Sequence, residues 1–281
     1  MPQQIHWFPG HMSKALRGIE DKIKMMDVVI EILDARAPFS SINEELEKRI
    51  VNKKRLVVLA KADLADPNST KEYVKKLKEL YNIVLVLNLT DNNAGKEISK
   101  AVFELGKEKQ QKDIARGMKP QPIRTMIVGI PNVGKSSLIN RFSKRKAAGV
   151  ENRPGFTRGE QWIKVDNNFL LLDTPGVLPM YYENRKKAVN LALIGAIRET
   201  ILPNEDLAKY LLTYLSKHYP EALNERFEIN VIDYSESVFK AIADKRKLLT
   251  SSGELDIERS YALLLKEFKD GKLGRYSLEN E

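Results

Sequence analysis

Residues 129–136 form a loop pattern that is suited to holding phosphate groups. They read Gly-Ile-Pro-Asn-Val-Gly-Lys-Ser, which is the spacing G-x-x-x-x-G-K-S. In such a loop the backbone amides converge on phosphate oxygens, and the helix that follows favours anions at its N-terminus. We expect the lysine to be catalytic, because it neutralises the terminal phosphates. We expect the serine hydroxyl to hold Mg²⁺. The predicted nucleotide-binding residues of this loop are Asn132, Val133, Gly134, Lys135, Ser136 and Ser137.

Two later segments complete a candidate site for a nucleoside triphosphate. Asp173-Thr-Pro-Gly176 follows a strand pattern, so Asp173 is placed to orient Mg²⁺ through water and the Gly176 amide to bind a γ-phosphate. Thr157 lies in an intervening loop with glycine and proline, where we predict a catalytic Mg²⁺ ligand that acts when the γ-phosphate is present. Without the phosphate loop, an ordinary turn would explain Asp173-Thr-Pro-Gly176 equally well, and an ordinary loop threonine is the lesser alternative at Thr157.

Ala60-Lys-Ala-Asp63 is the candidate for reading the base. The Asp63 carboxylate can accept two hydrogen bonds from the ring N–H and the exocyclic amine of guanine, and the Lys61 stem can lie on the ring. Asparagine is usual at the first position, and Ala60 removes one hydrogen bond, worth roughly 0.5–1.5 kcal/mol. Asn88 and Leu89 stand where a further base-contacting loop is expected, although an ordinary connection between strand and helix explains them as well.

The chemical groups require a sheet that positions them, and the pattern of the chain predicts one. Apolar, β-branched runs predict strands over residues 27–34, 56–60, 83–88 and 124–129, and a hairpin that pairs 161–165 with 169–172. Helical patterns over 42–51 and 69–80, with Leu80 on the apolar face, alternate with the strands, which indicates an α/β fold with a parallel sheet and helices on both faces. The charged residues 107–121 are interpreted as a linker or a solvated helix tail.

The pattern changes after Pro179, where apolar residues recur only at helical spacing. We therefore predict two domains, a nucleotide-binding domain over residues 1–179 and a small all-α C-terminal domain over residues 180–281. The first domain carries a net charge of +10 and the second of −1. A polyanionic partner such as RNA is one interpretation of this excess, and a merely soluble basic surface is the other.

Composition limits the cellular compartment that we expect for the protein. The 281 residues contain no cysteine, which excludes disulfides and thiolate zinc sites. The first residues do not combine a charged leader with an apolar stretch, and no apolar run approaches the ~20 residues of a membrane span. We expect a cytoplasmic protein without membrane attachment, and a monomer.

The order of the motifs is the reverse of that in ordinary GTPases, in which the lysine-x-aspartate box follows the phosphate loop. The chain thus resembles a circularly permuted P-loop GTPase. The opening Trp-Phe-Pro-Gly-His-Met of residues 7–12, Asp34-Ala-Arg36 and the phosphate loop itself resemble the bacterial ribosome biogenesis GTPase A family over the full length. Other permuted families carry cysteine zinc sites, which this chain lacks.

The resemblance implies a function and a catalytic arrangement. It implies GTP hydrolysis that large ribosomal subunits stimulate, in a protein that binds the particle and its RNA in the GTP state and leaves afterwards. Val177 stands where many GTPases place a water-orienting glutamine. In the family, this role is attributed to the histidine that matches His11. We expect His11 in a loop after Gly10. A structural or RNA-contacting histidine is the alternative.

The resemblance also implies a K⁺ site and an RNA-binding tail. Asn132 matches the residue that helps coordinate K⁺ in potassium-activated relatives, although a plain loop residue is an equal alternative. The helical tail resembles an RNA-binding module, while a solvated charged face explains the same residues. The basic clusters of the tail are Lys245, Arg246 and Lys247, and then Lys266, Lys269, Lys272 and Arg275.

Two other classes of function compete with a ribosome-assembly GTPase. Ala60 and Val177 could indicate a degenerate site in a nucleotide-insensitive RNA-binding protein. The intact Lys135, Ser136, Thr157 and Asp173 argue against it. A GTPase acting on membranes or signalling partners has no support from a lipidation motif or an amphipathic basic anchor.

Overall fold

The fold is seen in a computed structural model, which describes residues 5–6, 10–144, 162–165, 168–178, 181–182, 184–197, 202–228 and 236–280. The side chains of residues 5–6, 10–12, 144 and 181–182 lie outside this description. So do Thr157, Pro179, where we divide the chain into domains, and part of the turn at 166–168.

Eight strands are present in the described part of the chain. Six of them form one sheet in the order β4-β3-β2-β5-β7-β6, parallel throughout except that β6 runs antiparallel to β7. β1 and β8 form a separate antiparallel pair. The strands are β1 (Ile5–His6), β2 (Val28–Asp34), β3 (Lys54–Ala60), β4 (Ile83–Val86), β5 (Ile123–Val128), β6 (Trp162–Lys164), β7 (Phe169–Leu172) and β8 (Tyr181–Tyr182).

Helices cover both faces of the sheet. Every residue of β2 is buried, as expected of a central parallel strand. Its odd-numbered positions pack with α1, α3 and α4, and its even-numbered positions with α5 and α6. These helices and the short α2 are α1 (Gly10–Ile23), α2 (Pro38–Ser41), α3 (Glu44–Ile50), α4 (Pro67–Lys78), α5 (Ala94–Ala115) and α6 (Lys135–Lys144). The mixed α/β architecture predicted from the pattern is confirmed.

Of the two interpretations of residues 107–121, the solvated helix tail holds over residues 107–115, which are mostly exposed. Residues 107–115 are the second half of the 22-residue helix α5, which packs closely on the sheet. A Cβ atom added at Gly106 would lie 2.2 Å from Ile123 Cδ1, so only glycine permits this approach of helix to strand. The predicted apolar face of α4 is wrong at one position, because Leu80 lies beyond the end of the helix and is exposed.

Past β8, the described residues form helices that pack on one another. They are α7 (Arg185–Leu193), α8 (Asn204–His218), α9 (Ala222–Phe227), α10 (Ser237–Lys245) and α11 (Ile257–Lys269). The apolar face of α8 packs against α11, and α7 packs against α2. One apolar cluster is therefore continuous from the α5 face of the sheet into these helices. No helix among the described residues is long and apolar enough to cross a membrane.

Candidate nucleotide site

The phosphate loop connects β5 to α6 at the carboxyl end of the sheet. Gly129 (φ +147°) and Gly134 (φ +111°) adopt backbone conformations that favour glycine. A Cβ atom at Gly129 would lie 2.5 Å from the carbonyl oxygen of Ile32, so the loop starts against the neighbouring strand β2. The α6 N-terminus that follows offers unpaired amides and a favourable dipole to an anion. The loop therefore has the geometry of a phosphate cradle.

Lys135 lies buried inside this cradle. Its Nζ donates to the carbonyl oxygens of Gly129 (3.0 Å) and Ile130 (2.7 Å). Burial lowers the pKa of Lys135 to about 8, although the nearby Asp173 carboxylate acts in the opposite direction. Burial raises the pKa of Asp173, and Lys135 opposes that rise. The two groups thus share one poorly solvated space.

The segment after β7 lies directly beside the cradle. The Thr174 hydroxyl donates to the carbonyl oxygen of Ile127 at 2.6 Å, which fixes the segment to β5. A Cβ atom at Gly176 would lie 2.9 Å from Lys135 Nζ and 3.0 Å from the backbone of Pro131. Gly176 and the predicted phosphate lysine therefore meet at one point, and any side chain at Gly176 would occupy it.

Val177 turns away from this point. Its side chain is buried in the apolar cluster that also contains Leu16 and Ile19 of α1. Its amide donates to Gly129 O at 3.3 Å, and its carbonyl oxygen accepts from Asn43 Nδ2 at 3.0 Å. A residue held in this way has no atom available to orient water.

The oxygen donors near the cradle suit Mg²⁺. Ser136 is exposed in the first turn of α6, and Asp173 is half-buried at the end of β7. A hydroxyl and a carboxylate are hard ligands of the kind that Mg²⁺ prefers. Within the described ranges, no group of three or more His, Cys, Asp or Glu side chains could hold a metal ion. The third predicted ligand, Thr157, belongs to the undescribed residues 145–161.

Asn132 connects the phosphate loop to the helical part of the chain. It has a left-handed backbone (φ +61°), and its Nδ2 donates to the carbonyl oxygen of Gly195 at 2.8 Å. The amide oxygen is thereby left as the atom that could face a cation. Ser137 is exposed in the first turn of α6, and Val133 is buried below the loop.

The predicted base-reading segment lies between β3 and α4. Lys61 has a left-handed backbone (φ +56°), and its Nζ lies 3.0 Å from Asp34 Oδ2. Asp63 is exposed, two residues further along the same turn. The Ala60 methyl group is fully buried, and its carbonyl oxygen accepts from the Ala35 amide at 2.9 Å. The structure therefore brings Lys61 and Asp63 to the same edge of the sheet as the phosphate loop.

Asp34 and Arg36 form a buried ion pair behind Lys61, and its importance was not apparent from sequence. Arg36 donates to both carboxylate oxygens of Asp34 at 2.9 Å, and to the carbonyl oxygens of Ile194 and Lys269 at 3.2 Å. Burial acts to raise the pKa of Asp34, but Arg36 and Lys61 outweigh it and hold the pKa at about 2. Arg36 thus ties the base-reading turn to the helical part of the chain.

The Asn88 turn is held against α6 by Arg141, another residue that the sequence did not single out. Arg141 Nε donates to Leu89 O at 2.9 Å, and its other nitrogen donates to Thr90 O. Asn88 Oδ1 accepts from the Thr90 amide and hydroxyl at 2.9 and 2.7 Å. A Cβ atom at Gly134 would lie 2.9 Å from Leu89 Cδ1. The turn and the phosphate loop are therefore direct neighbours.

His11 lies in the first turn of α1, so the loop expected around it is wrong. Its side chain lies outside the described residues. The helix itself is anchored through Leu16 and Ile19 to the cluster that holds Val177. The backbone of His11 therefore belongs to an element fixed beside the segment after Gly176.

The site combines a phosphate loop with an Asp-x-x-Gly segment on the adjacent strand. A Lys-x-Asp turn precedes both in the chain. This combination and order define a circularly permuted P-loop GTPase. A family model described as a 50S ribosome-binding GTPase matches residues 124–240. The ribosome biogenesis GTPase A of Bacillus cereus is 45% identical over 277 residues, which are 98% of this chain and 93% of that protein. The protein of the same name from Priestia megaterium is 43% identical, over 98% of this chain and 96% of that one.

Solved structures agree with these sequence matches. GNP-bound YlqF from T. maritima has a TM-score of 0.65 at 26% identity, with 95% of this chain and 98% of that chain covered. A GDP-bound YlqF structure has a TM-score of 0.66, with 94% and 99% covered. The chain belongs to the ribosome biogenesis GTPase A family, and it is a GTPase that binds GTP and GDP.

Proposed function

We propose that this GTPase is an assembly factor for the large ribosomal subunit, acting in the cytoplasm as a monomer. It binds the particle in the GTP state and leaves after hydrolysis. The observation that carries the proposal is the similarity over 98% of the chain to proteins named ribosome biogenesis GTPase A. The description of the family model as a 50S ribosome-binding GTPase supports the choice of the large subunit.

Two groups of residues hold the nucleotide, one at its phosphates and one at its base. We assign the phosphates to the amides of residues 132–137, to Lys135 and to the Gly176 amide, and the close approach of Gly176 to Lys135 and Pro131 supports this assignment. Ser136 and Asp173, with Thr157, would hold Mg²⁺, which supplies charge neutralisation at the phosphates when it is bound. Asn132 Oδ1 is the proposed K⁺ ligand, because the amide nitrogen is committed to Gly195.

Base recognition is assigned to the turns that follow β3 and β4. The Asp63 carboxylate accepts from the guanine ring N–H and amine, a pair of donors that adenine does not present. The Lys61 stem lies on the ring while Asp34 holds its ammonium group. Asn88 and Leu89 close the other side of the base from their position beside Gly134.

His11 is assigned to the water that attacks the γ-phosphate. Val177 faces the apolar cluster, so the usual position supplies no group for this role. His11 lies at the start of α1, which packs on that same cluster. An imidazole titrates near neutral pH and can donate or accept a hydrogen bond there. We expect the ribosomal particle to stimulate this step, so turnover by the free protein is slow.

RNA contact is assigned to the basic surface of the nucleotide-binding domain and to the helical domain, residues 180–281. The first 179 residues carry a net charge of +10. Part of the tail's positive charge is already paired, since Lys245 lies 2.7 Å from Glu228 and Lys266 2.6 Å from Asp270. These surface pairs are weak and can exchange a carboxylate for a phosphate.

GTP turnover with and without purified large ribosomal subunits tests the proposal. We expect strong stimulation by large subunits and little by small ones. Co-sedimentation with large subunits is expected to be stronger with a non-hydrolysable GTP analogue than with GDP, and to fall as KCl is raised. Equal pelleting in both nucleotide states would argue against a GTP-dependent cycle.

The role of His11 has its own test. His11→Ala is expected to keep nucleotide and subunit binding but to lose ~10²–10⁴-fold of the stimulated turnover, the usual cost of one acid–base group. His6→Ala, in the same N-terminal segment, is the matched control and should retain full turnover. If His11→Ala also retains it, the histidine is structural or contacts RNA.

A further inference from the structure

The base-reading turn, residues 61–66, is held from outside by the end of the chain. Arg275 Nη2 donates to Ala62 O at 2.8 Å and Arg275 Nε to Ala65 O at 3.0 Å. The Tyr276 amide donates to Leu64 O at 3.1 Å. These three carbonyl groups surround Asp63 in the sequence, so the backbone on both sides of the predicted base-reading carboxylate is fixed by residues 275 and 276.

Residues 275–280, which we call the C-terminal strap, are themselves firmly attached. The Leu278 amide donates to Arg36 O at 2.7 Å, and the Glu279 carboxylate accepts from the amides of Phe39 (2.8 Å) and Ser40 (2.6 Å). Asn280 bonds to three tyrosine hydroxyls, on α4, α8 and the residue after α8. The strap therefore fixes the turn against both the sheet and the helices.

Within the turn, the Leu64 amide donates to Lys61 O at 2.9 Å and the Ala62 amide to Leu87 O at 3.4 Å, whereas the carbonyl groups of Ala62, Leu64 and Ala65 take their donors from the strap. Lys61 has a left-handed backbone, which is unfavourable for a side chain with a Cβ atom. Ala60 lacks the amide side chain that is usual at this place and that would link neighbouring loops. Asp63 is exposed, and no hydrogen bond to its carboxylate is present in the described structure. The direction of this carboxylate therefore depends on the backbone that Arg275 holds.

We propose that Arg275 is a positioning residue for base selection. Its guanidinium group spans the Ala62 and Ala65 carbonyls and so aims Asp63 at the exocyclic amine and ring N–H of guanine. The assignment rests on the proposed role of Asp63. It gives Arg275 a function inside the nucleotide site, although the sequence placed this residue with the basic clusters of an RNA-binding tail.

Selectivity between GDP and IDP tests the proposal in the full-length protein. Hypoxanthine keeps the ring N–H of guanine but lacks the exocyclic amine, so the ratio of the two Kd values measures the amine contact. Loss of one hydrogen bond to a charged group corresponds to ~10–100-fold in affinity. We expect Arg275→Ala to reduce the preference for GDP by roughly tenfold, and Arg275→Lys, which can reach one carbonyl, to reduce it less.

Several controls separate positioning from folding. Partial unfolding weakens the binding of GDP and of IDP by the same factor, because the unfolded fraction binds neither, so it leaves the ratio unchanged. Arg259→Ala is the matched control and should not change the ratio. In the part of the chain that the structure describes, the Arg259 guanidinium group donates to Leu249 O, within the helical part. Asp63→Asn tests the underlying assignment and should abolish the preference for GDP.

The outcomes are distinct. A reduced ratio in Arg275→Ala together with an abolished preference in Asp63→Asn supports the proposal. An unchanged ratio in Arg275→Ala, with the preference abolished in Asp63→Asn, overturns the positioning role and leaves Asp63 as the base reader. A full preference for GDP in Asp63→Asn overturns both assignments.

Discussion

Replacing Asp34 by asparagine removes the negative charge from the buried ion pair behind the base-reading turn. The carboxylate accepts two hydrogen bonds from the Arg36 guanidinium group and one from the Arg36 amide, and it lies 3.0 Å from Lys61 Nζ. Asparagine keeps the size but offers one acceptor oxygen, and its amide group faces donors. Arg36, at 1% exposure, would be left as a buried cation without its counter-charge.

Two estimates give the magnitude of this loss. The difference between the pKa of about 2 in the fold and the ordinary value of 3.8 corresponds to about 2 kcal/mol of stability. Removing one partner of a buried ion pair typically costs ~3–5 kcal/mol. With a urea dependence of ~3 kcal/mol per M, the midpoint of unfolding should fall by ~1–1.5 M at neutral pH. Affinity for GDP should also fall, because Lys61 loses its anchor.

Urea unfolding followed by circular dichroism provides the assay. Asp270→Asn is the matched control, since its carboxylate pairs with Lys266 at the surface and its loss should leave the midpoint close to that of wild type. Asp34→Asn with Arg36→Met should recover part of the loss by removing the uncompensated cation. A midpoint for Asp34→Asn equal to that of the control would refute the reasoning.

The pH dependence of this pair has a definite sign. Because the folded pKa of Asp34 lies below the ordinary value, its contribution is fully present above pH 3.8 and is lost as the pH falls towards 2. The difference in unfolding free energy between wild type and Asp34→Asn should therefore shrink over this range. A difference that stays constant from pH 5 to pH 2 would show that ionisation of Asp34 does not contribute.

Three further predictions concern other groups. Gly176→Ala places a methyl group 2.9 Å from Lys135 Nζ, so binding of a GTP analogue, measured by titration calorimetry, should weaken at least tenfold while GDP is affected less. Burial, with help from Glu47, raises the pKa of Glu31 to about 8, so wild-type stability falls as the pH rises from 4.5 to 8. Glu31→Gln should remove this fall in urea unfolding, and an unchanged dependence of stability on pH would contradict the prediction. Asp63→Asn should weaken GTP and improve xanthosine triphosphate, and unchanged GTP affinity would remove Asp63 from base reading.

The positions of strands and motifs could be predicted because they depend on local pattern. Continuous apolar, β-branched runs locate β2, β3 and β5, and each motif follows the end of its strand. The reversed order of the boxes is a property of the sequence itself. The extent of α5 was harder to predict, because its second half is rich in lysine and only Gly106 shows how closely it packs.

The supports of the site could not be predicted because they join distant parts of the chain. Arg141 holds a turn some 50 residues away, and Arg36 reaches a carbonyl 233 residues away. No periodicity in the sequence pairs such residues. Arg275 was grouped with basic residues of the tail on charge alone, whereas its donors are directed at the backbone of the base-reading turn.

The arrangement of the strap has a consequence for how the protein is made. Ala62 and Arg275 are separated by 213 positions, so a ribosome synthesises the turn long before the residue that holds it. Strands β2, β3 and β4 can pair as soon as they emerge, and β5 and β7 then add at the free edge of β2. A nascent chain that already contains the phosphate loop would therefore still lack the support of its base-reading turn. We expect such incomplete chains to capture phosphate-bearing ligands before they can tell guanine from other bases.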